Sequence, residues 1–320
     1  MTGSSLRGNI LCIVVPCYNE EEVLKETAKR LIEKLNELIK GQVISENSRI
    51  AFVDDGSTDG TWDLIERFNK ENELIMGIKL SRNCGHQNAL LAGIMSVKNI
   101  ADMVISIDAD LQDDVNKISD FIKEYNNGCE IVYGVRSDRK KDTFFKRATA
   151  QTFYKLLRVM GVEIIYNHAD YRLLSKRAIS ELENFKEVNL FLRGIVPLIG
   201  FKCGKVYYER NKRFAGESKY PLKKMLNFAF DGITSFSVKP IRLVTFVGFL
   251  IFTISIIFSI YFLFAHFKGY TVQGWTTIVL SVWGIGGLEL LAIGIIGEYI
   301  GKIYMESKAR PKYIIDRIID

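Results

Sequence analysis

Proline is scarce in this chain, at 5 of 320 residues, and histidine scarcer, at 3. The five cysteines, Cys12, Cys17, Cys84, Cys129 and Cys203, are scattered, odd in number and never spaced as CxxC. That pattern supports neither a disulfide framework nor a zinc site, and it fits a reducing compartment. No GxGxxG follows a strand-like run and no GxxxxGK precedes a serine or threonine, so the dinucleotide and Walker phosphate cradles are unsupported. The chain is polar through Asn9, and the apolar run Ile10 to Val15 is too short for the core of a cleaved signal peptide, so no cleaved targeting segment is expected.

What is present is apolar and basic: 48% hydrophobic residues, with 43 Lys and Arg against 37 Asp and Glu, a net charge of +6. The length suits one sizeable domain and a smaller appendage. The charge is compatible with nucleic acid, an anionic membrane or a phosphorylated substrate, and the placement of the basic residues must decide. They gather beside apolar runs, with no nucleic-acid-binding motif, so no nucleic-acid partner is expected.

From Ile10 to about Val135, short β-rich runs alternate with amphipathic helical patterns. Ile10 to Val15, Arg49 to Asp54, Leu74 to Leu80, Met103 to Ile107 and Glu130 to Val135 read as strands. Glu21 to Ile39, Thr61 to Asn69, Gln87 to Val97 and Asn116 to Tyr125 read as helices. The alternation predicts an α/β fold, a Rossmann-like, mostly parallel sheet with flanking helices. Asn19 with Glu22 reads as an N-cap and capping box. Polar residues collect just after the strands, at the carboxyl edge where such sheets bind ligands. Asp142 to Met160 mixes aromatics with Lys and Arg, as an interfacial amphipathic helix or an ordinary packed one would.

Two apolar runs, Ile241 to Phe267 and Thr276 to Ile300, are each long enough to span a bilayer core, which takes about 20 residues. Lys239 and Arg242 precede the first span, and Lys302, Lys308, Arg310 and Lys312 follow the second, whereas the connecting loop offers Lys268. The positive-inside rule puts both ends in the cytoplasm. The expected organisation is a cytoplasmic catalytic domain over 1–220, a juxtamembrane amphipathic helix over 221–240, two transmembrane helices within 241–301 and a cytoplasmic tail over 302–320. Gly297 and Gly301 form a GxxxG spacing, which leaves a homo-oligomer open.

Asp108, Ala109 and Asp110 follow an apolar strand, with Gln112 close behind. Oxygen ligands in that arrangement suit a hard divalent cation, Mg2+ or Mn2+, bridging to a diphosphate. An acidic turn that is merely solvated is the plain alternative. Asp54, Asp55, Gly56, Ser57 and Asp59 end another strand with acceptors for ribose hydroxyls or a base N–H, or with an ordinary turn and cap. Tyr18 can stack on a base. Arg210, Lys212, Arg213 and Lys219, with Lys223 and Lys224 beyond, stand just before the first span, where they suit a lipid phosphate or anionic lipid in general; Gly216 and Ser218 let the backbone approach.

These segments together resemble a known family. Val14 to Glu21 (VVPCYNEE), Val53 to Asp59 (VDDGSTD), Ser81 to Gly85 (SRNCG) and Asp108 to Gln112 (DADLQ) are similar, in that order, to the inverting family 2 glycosyltransferases of GT-A fold. Asn167 to Leu173 (NHADYRL), Arg193 with Gly194, Tyr208 to Tyr220 (YERNKRFAGESKY), Gly297 to Tyr299 and Arg310 to Tyr313 resemble the polyisoprenyl-phosphate branch, which includes dolichyl-phosphate mannose synthases and bactoprenol glucosyltransferases. The resemblance implies that Asp108, Asp110 and Gln112 hold metal and diphosphate, and that Pro16, Tyr18, Glu20, Asp54, Asp55 and Arg82 shape the nucleotide-sugar pocket. It implies Arg193, Arg210, Arg213, Ser218 and Lys219 for the lipid phosphate, and Asp170 as catalytic base or as the residue that positions the acceptor. Cys84, His86 and Gln87 depart from the usual pattern. The implied reaction moves a hexose, glucose from UDP-glucose by default, onto undecaprenyl phosphate with inversion, in an integral protein of a bacterial membrane. A processive polysaccharide synthase lacks its QxxRW here, and a silent scaffold that senses nucleotide sugars is the non-enzymatic alternative.

Overall fold

The computed structural model describes residues 8–137, 168–187, 191–209 and 275–320, with isolated positions between 241 and 257. Arg210, Arg213, Ser218 and Lys219, the expected 221–240 helix, the 142–160 segment and most of the first apolar run lie outside the described residues.

Eight strands form one sheet: β1 (Leu11–Cys17), β2 (Arg49–Asp54), β3 (Ile75–Leu80), β4 (Met103–Ser106), β5 (Ile131–Arg136), β6 (His168–Ser175), β7 (Cys203–Tyr208) and β8 (Ile315–Ile319). Their order across the sheet is β7-β5-β6-β4-β1-β2-β3-β8. The helices are α1 (Glu21–Lys40), α2 (Thr61–Glu71), α3 (His86–Val97), α4 (Ile118–Asn126, entered through a 3-10 turn at Val115–Lys117), α5 (Lys176–Leu182), α6 (Leu192–Leu198) and α7 (Trp275–Lys308).

β1 is buried along its whole length, as a central strand covered on both faces must be. Leu11, Ile13 and Val15 alternate into a core that Leu24, Leu31 and Leu35 of α1 also enter, at the spacing of one helical stripe. Pro16 inside β1 removes one ladder donor. The loss is tolerated because it falls on the β4 side, where pairing has already ended at Val14 opposite Ser106.

The sheet is mixed, which corrects the expectation of a mostly parallel one. β1 pairs in parallel with β2 and β4, β2 with β3, and β5 with β7. β6 runs antiparallel between β4 and β5, and β8 antiparallel beside β3. The β1 to β4 helical crossovers were readable as strand–helix alternation; β6, β7 and β8 were not, because they follow no such unit.

Asn19 does not cap α1. Its φ is +53° and its side-chain oxygen accepts from the Thr58 backbone N–H at 2.9 Å, so it ties the β1 turn to the β2 turn instead.

Within the described residues the sheet, its helices and Arg310–Asp320 form one compact unit, and α7 belongs to a second. No helix among the described residues is long and apolar enough to cross a membrane. α7 carries exposed Ile278, Val282, Ile285, Leu290, Ile293 and Ile296.

Candidate active site

The strand order reverses at β1, with β2 on one side and β4 on the other, and ligands of open α/β sheets bind outside the strand ends at such a switch point. The loops after β1, β2, β3 and β4 meet there.

On the β2 side, Asp54 is fully buried. Its Oδ1 accepts from the Ser57 N–H at 3.2 Å, and its Oδ2 has no partner among the described residues. A buried acceptor left open is costly, and it suits an incoming N–H or hydroxyl. Burial raises the Asp54 carboxyl above its usual range, against the opposing hydrogen bond to Ser57. Asp55 is differently employed: its two oxygens accept from the Cys84 and Gly85 backbone N–H groups at 2.7 and 2.9 Å. It holds the loop after β3 against β2, so it shapes the mouth of the site through that loop. Gly56 follows with φ +66°, and a Cβ there would stand 2.6 Å from the Arg82 and Asn83 backbone, so only glycine allows the two loops to touch. Arg82 and Tyr18 are exposed beside them, Glu20 is half-buried, and Pro16 is buried inside β1.

On the β4 side, the antiparallel register sets Ser106 opposite Arg172, and just beyond that last pair Asp108 and Asp170 both stand beside His86. The sequence separates these carboxylates by a long stretch; the reversed strand β6 brings them to one edge. Ser106 donates its hydroxyl to the Asp170 backbone carbonyl and secures the crossing. Asp170 is gripped by two guanidiniums. Arg193 reaches it through Nε at 3.2 Å and Nη2 at 2.8 Å, and buried Arg172 donates from Nη2. Burial alone would raise the Asp170 carboxyl, but Arg193 and Arg172 hold it well below the usual carboxylate range.

His86, in the first turn of α3, stands between the two halves, its Nε2 3.5 Å from Asp108 Oδ1 and 3.8 Å from Asp170 Oδ2. Gln87 beside it accepts from the Leu192 N–H at 2.8 Å, which ties α3 to α6, the helix that carries Arg193. Both are residues at which the chain departs from the usual family pattern, and the sequence alone assigned neither a role. Asp108 is raised by burial and by the charges of Asp170 and Asp110, against His86. Asp110 Oδ1 accepts from the Gln112 N–H at 3.2 Å, after a turn through Leu111 at φ +58°. Thr27 of α1 donates to the carbonyl of Ala109, the central residue of the DxD, at 2.7 Å.

No group of three or more His, Cys, Asp or Glu able to hold a metal occurs among the described residues. Asp108, Asp110 and Gln112 nonetheless fit a cation whose remaining ligands are substrate phosphates, the usual manner for Mg2+, because burial and the neighbouring charges of Asp170 and Asp110 raise the Asp108 carboxyl, a strain that a cation would relieve.

A mixed α/β sheet with a DxD at its switch point and a buried, unsatisfied carboxylate oxygen beside it is a GT-A-like architecture. The comparisons agree. The family described as Glycosyl transferase family 2 matches residues 12–183, and the chain belongs to that family and is a glycosyltransferase. It is 57% identical over 307 residues to an uncharacterized glycosyltransferase, YkoT, of Bacillus subtilis (strain 168), covering 96% of this chain and 91% of that protein. It is 37% identical to the bactoprenol glucosyl transferase of Shigella phage SfV, covering 95% and 97% respectively. The prophage bactoprenol glucosyl transferase homolog of Escherichia coli (strain K12) is 36% identical, with 96% and 99% covered. Among solved structures, mannosyl-3-phosphoglycerate synthase from Rubrobacter xylanophilus superposes with a TM-score of 0.47 at 14% identity, over 70% of this chain and 71% of that one.

Proposed function

We propose that the protein transfers a hexose, glucose from UDP-glucose by default, to undecaprenyl phosphate with inversion at the anomeric carbon. The observation that supports this reading is that one imidazole, His86, stands 3.5 Å from Asp108 of the DxD and 3.8 Å from Asp170, the carboxylate that Arg193 grips, so the DxD and a cationic side chain share one sheet edge. The names of the bactoprenol relatives support the acceptor. Arg193 supplies positive charge for the lipid phosphate, and Arg210, Arg213, Ser218 and Lys219 extend that role towards the membrane. The Asp54 carboxylate accepts from the nucleotide, with Tyr18, Glu20 and Arg82 around it.

Asp108, Asp110 and Gln112 would hold Mg2+ or Mn2+, which when bound neutralises charge on the departing diphosphate. A lipid phosphate oxygen attacks the anomeric carbon in line, the bond from that carbon to the nucleoside diphosphate breaks with its electron pair, and no proton need be removed, because a phosphate monoester with a second pKa near 6 is largely dianionic at neutral pH. Asp170, locked between two arginines, orients Arg193 and takes no proton.

We further propose that Ile241 to Phe267 and Thr276 to Ile300 span a bacterial membrane, with the catalytic unit in the cytoplasm. What supports this is the length and apolarity of the two runs in the sequence and the apolar side chains exposed along α7, although no described helix by itself has the length and apolarity of a span.

The test is transfer of label from a panel of nucleotide sugars to undecaprenyl phosphate by the full chain in detergent, with Mn2+ or EDTA. Metal-dependent labelling by one donor is expected, absent in Asp110→Ala. Asp170→Asn should fall roughly 10- to 100-fold, as misplaced catalytic groups do, and show the same pH dependence as wild type. Nucleotide binding without label in any lipid would refute the reaction.

A further inference from the structure

We propose that β8 is a positioning element of the donor site, acting through the loop Ser81–Gly85; the inference rests on the nucleotide-sugar reading of that loop.

The chain leaves α7 and re-enters the catalytic unit at Arg310. It then adds β8 to the free edge of β3, with Gly77 opposite Ile319, Ile78 opposite Ile318 and Lys79 opposite Arg317. At the last pair the register shifts, so that Leu80 faces Ile315 and Asp316 becomes the extra residue. A bulge of this kind bends a strand and re-aims what precedes it. Its effect here is that the Ile314 carbonyl accepts the Ser81 N–H at 3.0 Å, the first amide of the donor-site loop.

That loop is therefore held at both ends. The Asp55 carboxylate takes Cys84 and Gly85 at its exit, Ile314 takes Ser81 at its entry, and exposed Arg82 lies between. No part of β2 or β3 supplies the entry tether.

β8 and the residues that lead into it are fixed by three side chains. Ile319 packs where a Cβ on Gly77 would stand 2.8 Å from it, so the missing side chain of Gly77 makes its seat. Arg317 Nη1 pairs with Glu66 of α2 at 3.0 Å, and Lys312 Nζ donates to the Phe185 carbonyl at 3.2 Å.

The experiment uses the full chain in detergent, with Ile319→Asp to unseat the strand and Ile319→Val as the conservative control. Amide hydrogen exchange reads the loop whatever its ligand, and calorimetry reads the affinity for uridine diphosphate with Mn2+. Ile319→Asp should speed exchange of the Ser81–Gly85 amides and weaken binding roughly fivefold to tenfold, the scale of one backbone hydrogen bond. β1 amides should stay protected, KM for undecaprenyl phosphate should hold within about twofold of wild type, well under the tenfold that 1.4 kcal/mol makes, and Ile319→Val should behave as wild type. Unchanged loop exchange overturns the proposal. So does faster exchange with undiminished affinity, which would make β8 a brace alone. Failure of the wild-type chain to bind any nucleoside diphosphate would instead overturn the nucleotide-sugar reading, while loop exchange still decides whether β8 orders the loop.

Discussion

Asp113 sits behind the DxD loop in conditions unfavourable to its charge. Tyr208 donates its hydroxyl to Asp113 Oδ1 at 2.6 Å and Arg136 stands 3.6 Å away, yet Oδ2 is buried with no partner among the described residues. Burial, then the charge of Asp108, push the carboxyl up to about 6 against the pull of Arg136. A carboxyl whose folded pKa exceeds its unfolded value, about 3.9, binds its proton more tightly in the fold. Its contribution is thus most favourable below pH 4 and is lost as the pH climbs to about 6. Asp113→Asn keeps an acceptor for Tyr208 and cannot ionise. The variant should therefore gain on wild type by about 1–3 kcal/mol between pH 4.5 and 7.5, read as the widening difference in Tm. A difference independent of pH would show that the ionised form is not penalised. The same variant separates two sources of an acidic limb in the rate: if the limb near pH 6 belongs to the acceptor phosphate, it persists in Asp113→Asn. At this scale the sequence was informative about residue types and uninformative about partners. Asp54 and Asp55 are neighbours with the same chemistry, and only the fold reveals that one is open to a ligand while the other is occupied by Cys84 and Gly85.

At the scale of elements, α1 does more than cover the sheet. Thr27, on its buried face, has its hydroxyl 2.7 Å from the Ala109 carbonyl, between the two DxD carboxylates, and 3.0 Å from the Val23 carbonyl one turn back, and its single proton goes to the nearer of the two. Thr27→Val keeps the shape and removes the donor, leaving the Ala109 carbonyl unsatisfied, a loss of about 1–3 kcal/mol. Nucleoside diphosphate affinity in Mn2+ should fall roughly fivefold to 100-fold by that measure, and Thr27→Ser should restore it; calorimetric titration decides, and wild-type affinity in the valine variant would remove the helix from the site. The elements β1 to β4 and their helices were legible because hydrophobic period switches cleanly between strand and helix. β6 was not, since HADYRLLS has no simple alternation, being buried on both faces. β8 was hidden by its setting: IDRII follows an apolar run and reads as a continuation of a basic tail until it is seen paired with β3.

For the whole molecule, the two apolar runs and the basic residues beyond them set a topology that can be read with thiols. Cys203 is exposed on the catalytic unit, whereas Cys12, Cys17 and Cys129 are buried. In intact cells a membrane-impermeant maleimide should label a Gly269→Cys variant in the loop between the runs, and should reach Cys203 only after permeabilisation. Labelling of Cys203 in intact cells would invert the orientation. The domain order expected from sequence was a catalytic domain followed by an anchor and a trailing tail, and contact alone shows that the trailing residues belong to the catalytic sheet. That arrangement has a consequence in biosynthesis. β3 emerges from the ribosome early and its outer edge has no strand to pair with until β8 has been made, after both apolar runs. An open sheet edge is a template for foreign pairing, so throughout the time the runs are being synthesised the nascent enzyme carries an unguarded edge, and its catalytic sheet is closed only by residues translated after α7.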